Sequence, residues 1–471
     1  MSRPFDLRRS LALTGWTLLL ATGVHAAAPV QHGDEGVPYG EGDDPNRLTN
    51  EYLPPQIEDF PKRPEPIFEL GNGFNEPGPI NDPIRLPTGA IWSPSFLVWG
   101  NMRSGVAAID RGDREDSEWA NRLDLFGELR MSPTERLVVG LRPLDKDGEF
   151  TGFDLDDGED IDGFNLDVQT LFFEGDFGEI FPNLDTEETR ALDIGFGLGR
   201  QPLNFQDGIL IQDVLDALTI TRNSVRKWGA SNIRATGILA WNDIERGNNI
   251  EDDSATLVGL LTAIDFVDNY VEVDLVGTFS SNEESGDGLY LGVGSTQRIG
   301  TMNSTFRLNA STALDEGSAA VDDGALLTSI LSWTPHHTHD NLYFGSYLGV
   351  DNFTSAARSP VAGGPLANIG ILYAATGLGT VGAPISNAAG QVVGGAFGYQ
   401  QFFNHGRSQM IYEVAARVGL DSDEDSDTLA LGARYRRAIG QHTVLTLDGF
   451  AGNNEVDDGF FGGRLELLWK F

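Results

Sequence analysis

The fold is decided by the stretch Phe461-Gly-Gly-Arg-Leu-Glu-Leu-Leu-Trp-Lys-Phe471. Positions 461, 465, 467, 469 and 471 are apolar, whereas Arg464, Glu466 and Lys470 fall on the alternate phase. Period two belongs to a β-strand, whose successive side chains point to opposite faces. One apolar face ending in aromatic residues and one charged face suit a strand with lipid on one side and water on the other.

The same alternation recurs from residue 91 onward. Candidate strands are centred near residues 98, 125, 139, 171, 195, 219, 238, 260, 274, 291, 307, 330, 347, 399, 415, 432, 447 and 466. An even number puts both ends of a closed sheet on one side. The odd-numbered connections carry the acidic clusters, among them Asp110 to Glu118, Asp145 to Asp162 and Asp315 to Asp323. The even-numbered ones are mostly short turns such as Val267-Asp268-Asn269 and Gly300-Thr301. Loop length and charge therefore assign the same sidedness, which a soluble sandwich or propeller gives no reason for. The sequence predicts an all-β fold over 91–471, a transmembrane antiparallel β-barrel of about 18 strands. A chain ending in Phe after such a strand also resembles the terminal signal of bacterial outer-membrane proteins.

Composition agrees. The chain has 471 residues, 58 glycines, no cysteine, and 70 acidic against 32 basic residues, for a formal charge of -38. Such a charge repels a phosphate backbone, so nucleic acid is excluded as a default partner. Without cysteine there is no disulfide, thiolate metal site or thiol nucleophile. Arg8 and Arg9 precede the apolar run Leu11 to Val24 and the small residues near Ala26, the layout of a signal peptide over 1–26 that is cleaved on export to the bacterial outer membrane. Residues 27–90 hold more than half of the 22 prolines and read as an extended, Pro-rich periplasmic arm, either a tether or a segment that docks.

Strand parity then assigns a water-facing wall. The pore-lining candidates are Arg122, Asp124, Glu128, Arg130, Arg136, Arg142, Glu174, Asp176, Arg200, Glu272, Asp274, Glu413, Arg417, Arg434, Arg436, Arg464 and Glu466. Basic residues concentrate on strands 15, 16, 18, 2 and 3, and strands 4, 5 and 9 contribute acids, which allows either a transverse field or a set of neighbouring ion pairs. The excess negative charge lies in the outer loops and the arm. Ser359 to Gly406 contains no Asp, Glu, Lys or Arg and includes Leu366, Ile369, Ile371, Leu372 and Tyr373. A connection so apolar is unfavourable in water, so it is expected to pack, either in the barrel mouth or on another surface.

The most distinctive local string is Gly197-Leu-Gly-Arg200-Gln201-Pro-Leu-Asn-Phe-Gln-Asp-Gly208, followed by Leu215-Asp-Ala-Leu-Thr219. It resembles the alginate-export family of outer-membrane barrels. That resemblance implies eighteen strands and a passive pore for a hydrophilic solute, with Arg200 and Gln201 near its outer mouth. The family's strongly basic lumen is not matched here, because the candidate wall is balanced. No catalytic constellation is expected, since none of the seven histidines lies midway along a strand. His336-His337-Thr338-His339-Asp340 reads as an exposed turn rather than a metal site, and Asp154 to Asp162 has the oxygen content but not the spacing of a calcium loop. Weak Ca2+ binding at the acidic loops, bridging lipopolysaccharide, is an expectation of charge alone. The functional expectation is a porin-like channel for small hydrophilic solutes or saccharides. The alternative is a plugged structural or receptor barrel that partners a periplasmic or surface complex.

Overall fold

The computed structural model describes residues 64–71, 83–112, 114–146, 148–187, 189–282, 284–404, 406–421, 427–455 and 459–471. The signal peptide and most of the Pro-rich arm lie outside these residues. Contacts divide the chain into Met1–Asp59 with His336–Thr338, and Phe60–Pro335 with His339–Phe471. The second unit contains the barrel.

Eighteen antiparallel strands form it: β1 (Ser95–Asp110), β2 (Glu115–Arg130), β3 (Arg136–Leu141), β4 (Val168–Asp176), β5 (Ile194–Phe205), β6 (Ile211–Val225), β7 (Asn232–Asn242), β8 (Ala255–Asp265), β9 (Asn269–Ser280), β10 (Gly288–Ile299), β11 (Met302–Ala313), β12 (Gly324–Trp333), β13 (Asn341–Asp351), β14 (Val392–Phe403), β15 (Ser408–Gly419), β16 (Thr428–Ile439), β17 (Thr443–Asn454) and β18 (Phe460–Lys470). Each pairs with its sequence neighbour, and β18 closes on β1 from Phe461↔Asp110 to Lys470↔Asn101. Closure leaves no free sheet edge, the condition for crossing lipid with strands. All eighteen centres expected from the sequence fall within these strands.

The period-two pattern becomes two faces. Val106, Trp119, Leu171, Leu198, Leu275, Leu308, Leu431, Leu465 and Trp469 are exposed on the outside of the wall. Cross-strand register places Arg103 opposite Arg122, Glu272 opposite Gly294, and Arg434 opposite Asp448 on the inside. An exposed apolar girdle of this extent belongs in a bilayer. The even connections 300–301 and 440–442 are tight, as expected. Two connections depart from the expected lengths. The β1–β2 link is short because both strands extend into the acidic run, to Asp110 and from Glu115, while 177–193 between β4 and β5 holds a helical turn, Phe177–Ile180.

Two described pieces of the N-terminal region seat on the short-turn rim. Phe68–Leu70 pairs with β1 at Phe96–Val98, in line with the end of β18, where Phe471 and Gly100 exchange backbone hydrogen bonds of 3.0 and 2.8 Å. Ile84–Arg85 and Ile91–Trp92 form a small ladder, and Asn183 donates from its side chain to the Pro87 carbonyl at 3.3 Å.

Candidate functional site, a lumen narrowed by two inward segments

The apolar connection 352–391 folds into the barrel. Its backbone is held by wall charges of appropriate sign. Arg103 Nη1 and Arg122 Nη1 both donate to the Gly377 carbonyl at 2.9 Å, and Arg103 Nη2 donates to Thr376 O at 2.8 Å. The Glu118 carboxylate accepts from Val381 N at 2.8 Å and Thr380 Oγ1 at 3.0 Å. Glu413 accepts from Ile371 N and Leu372 N, each at 2.8 Å, and from the Tyr343 hydroxyl. Arg417 donates to Ser386 O and Ala388 O at 3.3 and 2.8 Å. Between these grips Leu366, Ile369, Leu372, Tyr373 and Ile385 are buried against Tyr347, Ala396, Ala415 and Ala430. Small inner-face residues make the approach possible: a Cβ on Gly345 would overlap the Ile369 carbonyl.

A second segment enters from the opposite wall. Gln206, Asp207 and Gly208, between β5 and β6, have φ of 56°, 54° and 80°. Three consecutive left-handed residues make an abrupt turn, and at the first two the strain persists because the contacts around it fix the conformation. Arg307 is the hub: Nε donates to Asp207 Oδ2 at 2.7 Å, and Nη1 donates to Gln206 Oε1 at 2.9 Å and Glu272 Oε2 at 2.5 Å. Gln206 Nε2 donates to Asp274 Oδ2 at 2.7 Å. The two segments are tied together. Buried Arg358 donates to the Gly208 carbonyl and, at 2.8 Å, to Gly363 O, while Ser355 Oγ donates to Ile209 O at 2.7 Å. Burial pulls the Arg358 guanidinium down to about 10, so it is still charged at neutral pH.

Most inner charges from β16 round to β4 are closed into pairs. Across β16, β17, β18 and β1 runs the sequence Arg434–Asp448 at 2.7 Å, Asp448–Arg464 at 2.7 Å, Arg464–Glu466 at 3.4 Å and Glu466–Arg103 at 2.8 Å. On β2 to β4 it continues as Arg122–Asp124 at 3.1 Å, Arg142–Asp124 at 3.0 Å, Arg130–Glu128 at 2.6 Å and Arg136–Glu174 at 2.5 Å. The expected basic wall is thus an alternating ladder, and the neighbour-pair alternative describes it better than a transverse field. Arg436 shares this inner face and has no ion-pair partner within 4.0 Å among the described residues. Asp176 caps the helical turn, accepting from Gly178 N at 2.9 Å.

Register corrects one candidate. Arg200 pairs with Leu171 and Asp216, on the face that Leu198 and Ile220 expose outward. It bonds Asp216 at 3.2 Å and also Asp243 outside the wall, so it is not a pore-lining residue. The inner face of β5 is carried by Gly195, Gly197, Gly199 and Gln201, and its glycines hide the polar phase from a parity count. Arg103, Glu118, Gln206 and Asp207 carry much of the site but are absent from the pore-lining candidates, whereas strand parity already puts Arg307 on the inner face. Arg103 was detectable from its phase with Asn101 and Trp99, whereas Glu118 sits in a run that reads as an acidic loop. Among the described residues no cluster of three or more His, Asp or Glu is arranged to hold a metal ion.

No family model matches the chain, and no curated protein matches it. Solved structures do match. Pseudomonas aeruginosa OccK9 (OpdG) aligns with TM-score 0.53 at 12% identity, covering 80% of this chain and 98% of that one. Acinetobacter baumannii OccAB2 gives 0.53 at 10%, with the same coverage. The BenF-like porin from Pseudomonas fluorescens Pf-5 gives 0.52 at 10%, again covering 80% and 98%. The fold is that of the 18-stranded Occ-type porins. The alginate-export resemblance has no counterpart in these matches, which share the strand number that it implied.

Proposed function

We propose that the chain is an outer-membrane channel through which small hydrophilic solutes diffuse passively, filtered where the segments 206–210 and 352–391 narrow the lumen. One observation carries this reading: a charge within the narrowed barrel stays accessible to water. Asp207, in the inward turn, keeps 50% of its side chain exposed while bound to Arg307. A sealed plug would bury such groups, at a cost of several kcal/mol for each charge without full compensation. The porin fold and the apolar outer girdle support the same reading.

Because most wall charges are paired, the channel is expected to discriminate by size and hydrogen bonding more than by net charge. The 206–210 and 352–391 segments set the size limit. OpdK, a solved structure of the same fold at 10% identity, is recorded with vanillate. In this chain the balanced ladder favours neutral polyhydroxylated solutes, including saccharides, over any single class of anion. Liposome swelling with a graded series of neutral sugars, amino acids and small carboxylates tests the proposal. Uptake that falls with solute size and varies little with charge sign is expected, and uptake confined to one charge sign would overturn the balanced-lumen reading.

A further inference from the structure

Trp99 and Phe126 face one another across β1 and β2 on the inner side of the wall. They lie two inward positions from Arg103 and Arg122 toward the short-turn rim, about 13 Å along the strand. Their rings stack with centroids 4.5 Å apart and planes inclined by 23°. The neighbouring strand provides the seat. Gly140 of β3 is the residue opposite Phe126, and a Cβ there would stand 2.9 Å from the Phe126 ring. Glycine thus lets Phe126 lie against the wall with Trp99 upon it, and 37% of Trp99 stays exposed. An indole exposed inside the barrel adds nothing to the lipid-facing girdle and belongs to none of the buried apolar clusters.

Resting on the channel reading, we propose that Trp99 stacked on Phe126 is a docking platform for the pyranose ring of a saccharide passing through the lumen. A pyranose offers an apolar C–H face and a rim of hydroxyls. The indole suits the first, and the flanking groups suit the second. Asn101 and Asp124 lie one inward position toward the arginines, and Glu128 lies one position the other way. Asp124 is held by Arg122 and Arg142, and Glu128 by Arg130. Paired carboxylates and guanidiniums still have lone pairs and N–H groups to offer hydroxyls. At this platform an anionic solute would instead have to displace a wall carboxylate from Arg122, Arg130 or Arg142.

The test uses the full-length protein in planar bilayers, with glucose, maltose and maltotriose added to a conducting channel and benzoate as a planar anion. Saturable block of the ion current by the sugars is expected. Trp99→Ala should weaken that block about two- to tenfold, the range of an aromatic stacking contact, Trp99→Phe should restore most of it, and Trp119→Ala on the outer face should leave it unaltered. Gly140→Val, which crowds the Phe126 ring, should weaken it as well. Ion conduction without sugar block, or a block indifferent to Trp99→Ala, overturns the platform while leaving the channel. Trp99-dependent block by benzoate alone also overturns it, in favour of planar anions. Absence of any ion current from folded protein defeats the channel reading and the platform with it.

Discussion

Removing Glu413 should release the inward connection without dismantling the barrel. Its carboxylate accepts Ile371 N and Leu372 N at 2.8 Å each and the Tyr343 hydroxyl, and the residue is 4% exposed. Hydrogen bonds to a charged acceptor contribute about 1.5–3 kcal/mol each, so loss of the two backbone bonds in Glu413→Ala weakens docking by about 3–6 kcal/mol. At 1.4 kcal/mol per factor of ten, the ratio of lifted to docked segment rises about 100- to 20,000-fold. The segment also keeps buried Leu366, Leu372 and Tyr373 against the wall, so it should flicker rather than leave altogether. Single-channel recording of Glu413→Ala should show a larger and noisier current than wild type, with Glu413→Gln between the two because the amide keeps one acceptor. A variant whose thermal melt is that of an intact barrel, yet whose current amplitude and noise are unchanged, would refute the assignment of 352–391 as a constriction held by Glu413.

Arg307→Gln breaks the hub that binds Asp207, Gln206 and Glu272, and should raise the permeability of larger solutes in a swelling assay by freeing the 206–210 turn. Gly345→Val places a side chain where the Ile369 carbonyl lies, so conductance should rise there too, measured beside Gly449→Val, which meets nothing within 4 Å, as the control. Arg200→Ala leaves Asp216 and Asp243 uncompensated on the outer face and should lower the melting temperature while ion selectivity, read from the reversal potential, stays put. Glu466→Gln leaves Arg103 and Arg464 with less counter-charge, and should shift the reversal potential toward anion preference.

The strands were legible because lipid and water impose opposite demands on alternate residues, and the run Arg464 to Phe471 records both. The even strand count put both ends of the sheet on one side, and the closing register of β18 on β1 came from the structure. Occupancy of the inner face was not legible. Parity places Arg122, Glu413 and Arg417 inside, yet it cannot distinguish a charge facing water from one bonded to the backbone of a folded-in loop, since both require a polar group on the inner phase. The lack of charge from Ser359 to Gly406 did show that this stretch packs; its partners come from strands spread around the barrel and have no local signature. Arg200 escaped for a different reason. At the loop end of β5 the outward face meets polar surroundings instead of hydrocarbon, and a charge there costs little, so polarity ceases to report the side.

On the proposed reading, two inward segments narrow a water-filled lumen without closing it. Recording single channels of the purified full-length protein in a planar bilayer addresses it directly. Discrete current steps with weak preference between cations and anions are expected, rising in amplitude when the 352–391 segment is loosened by Glu413→Ala. Folded protein that inserts but carries no current, in wild type and in Glu413→Ala alike, would contradict it.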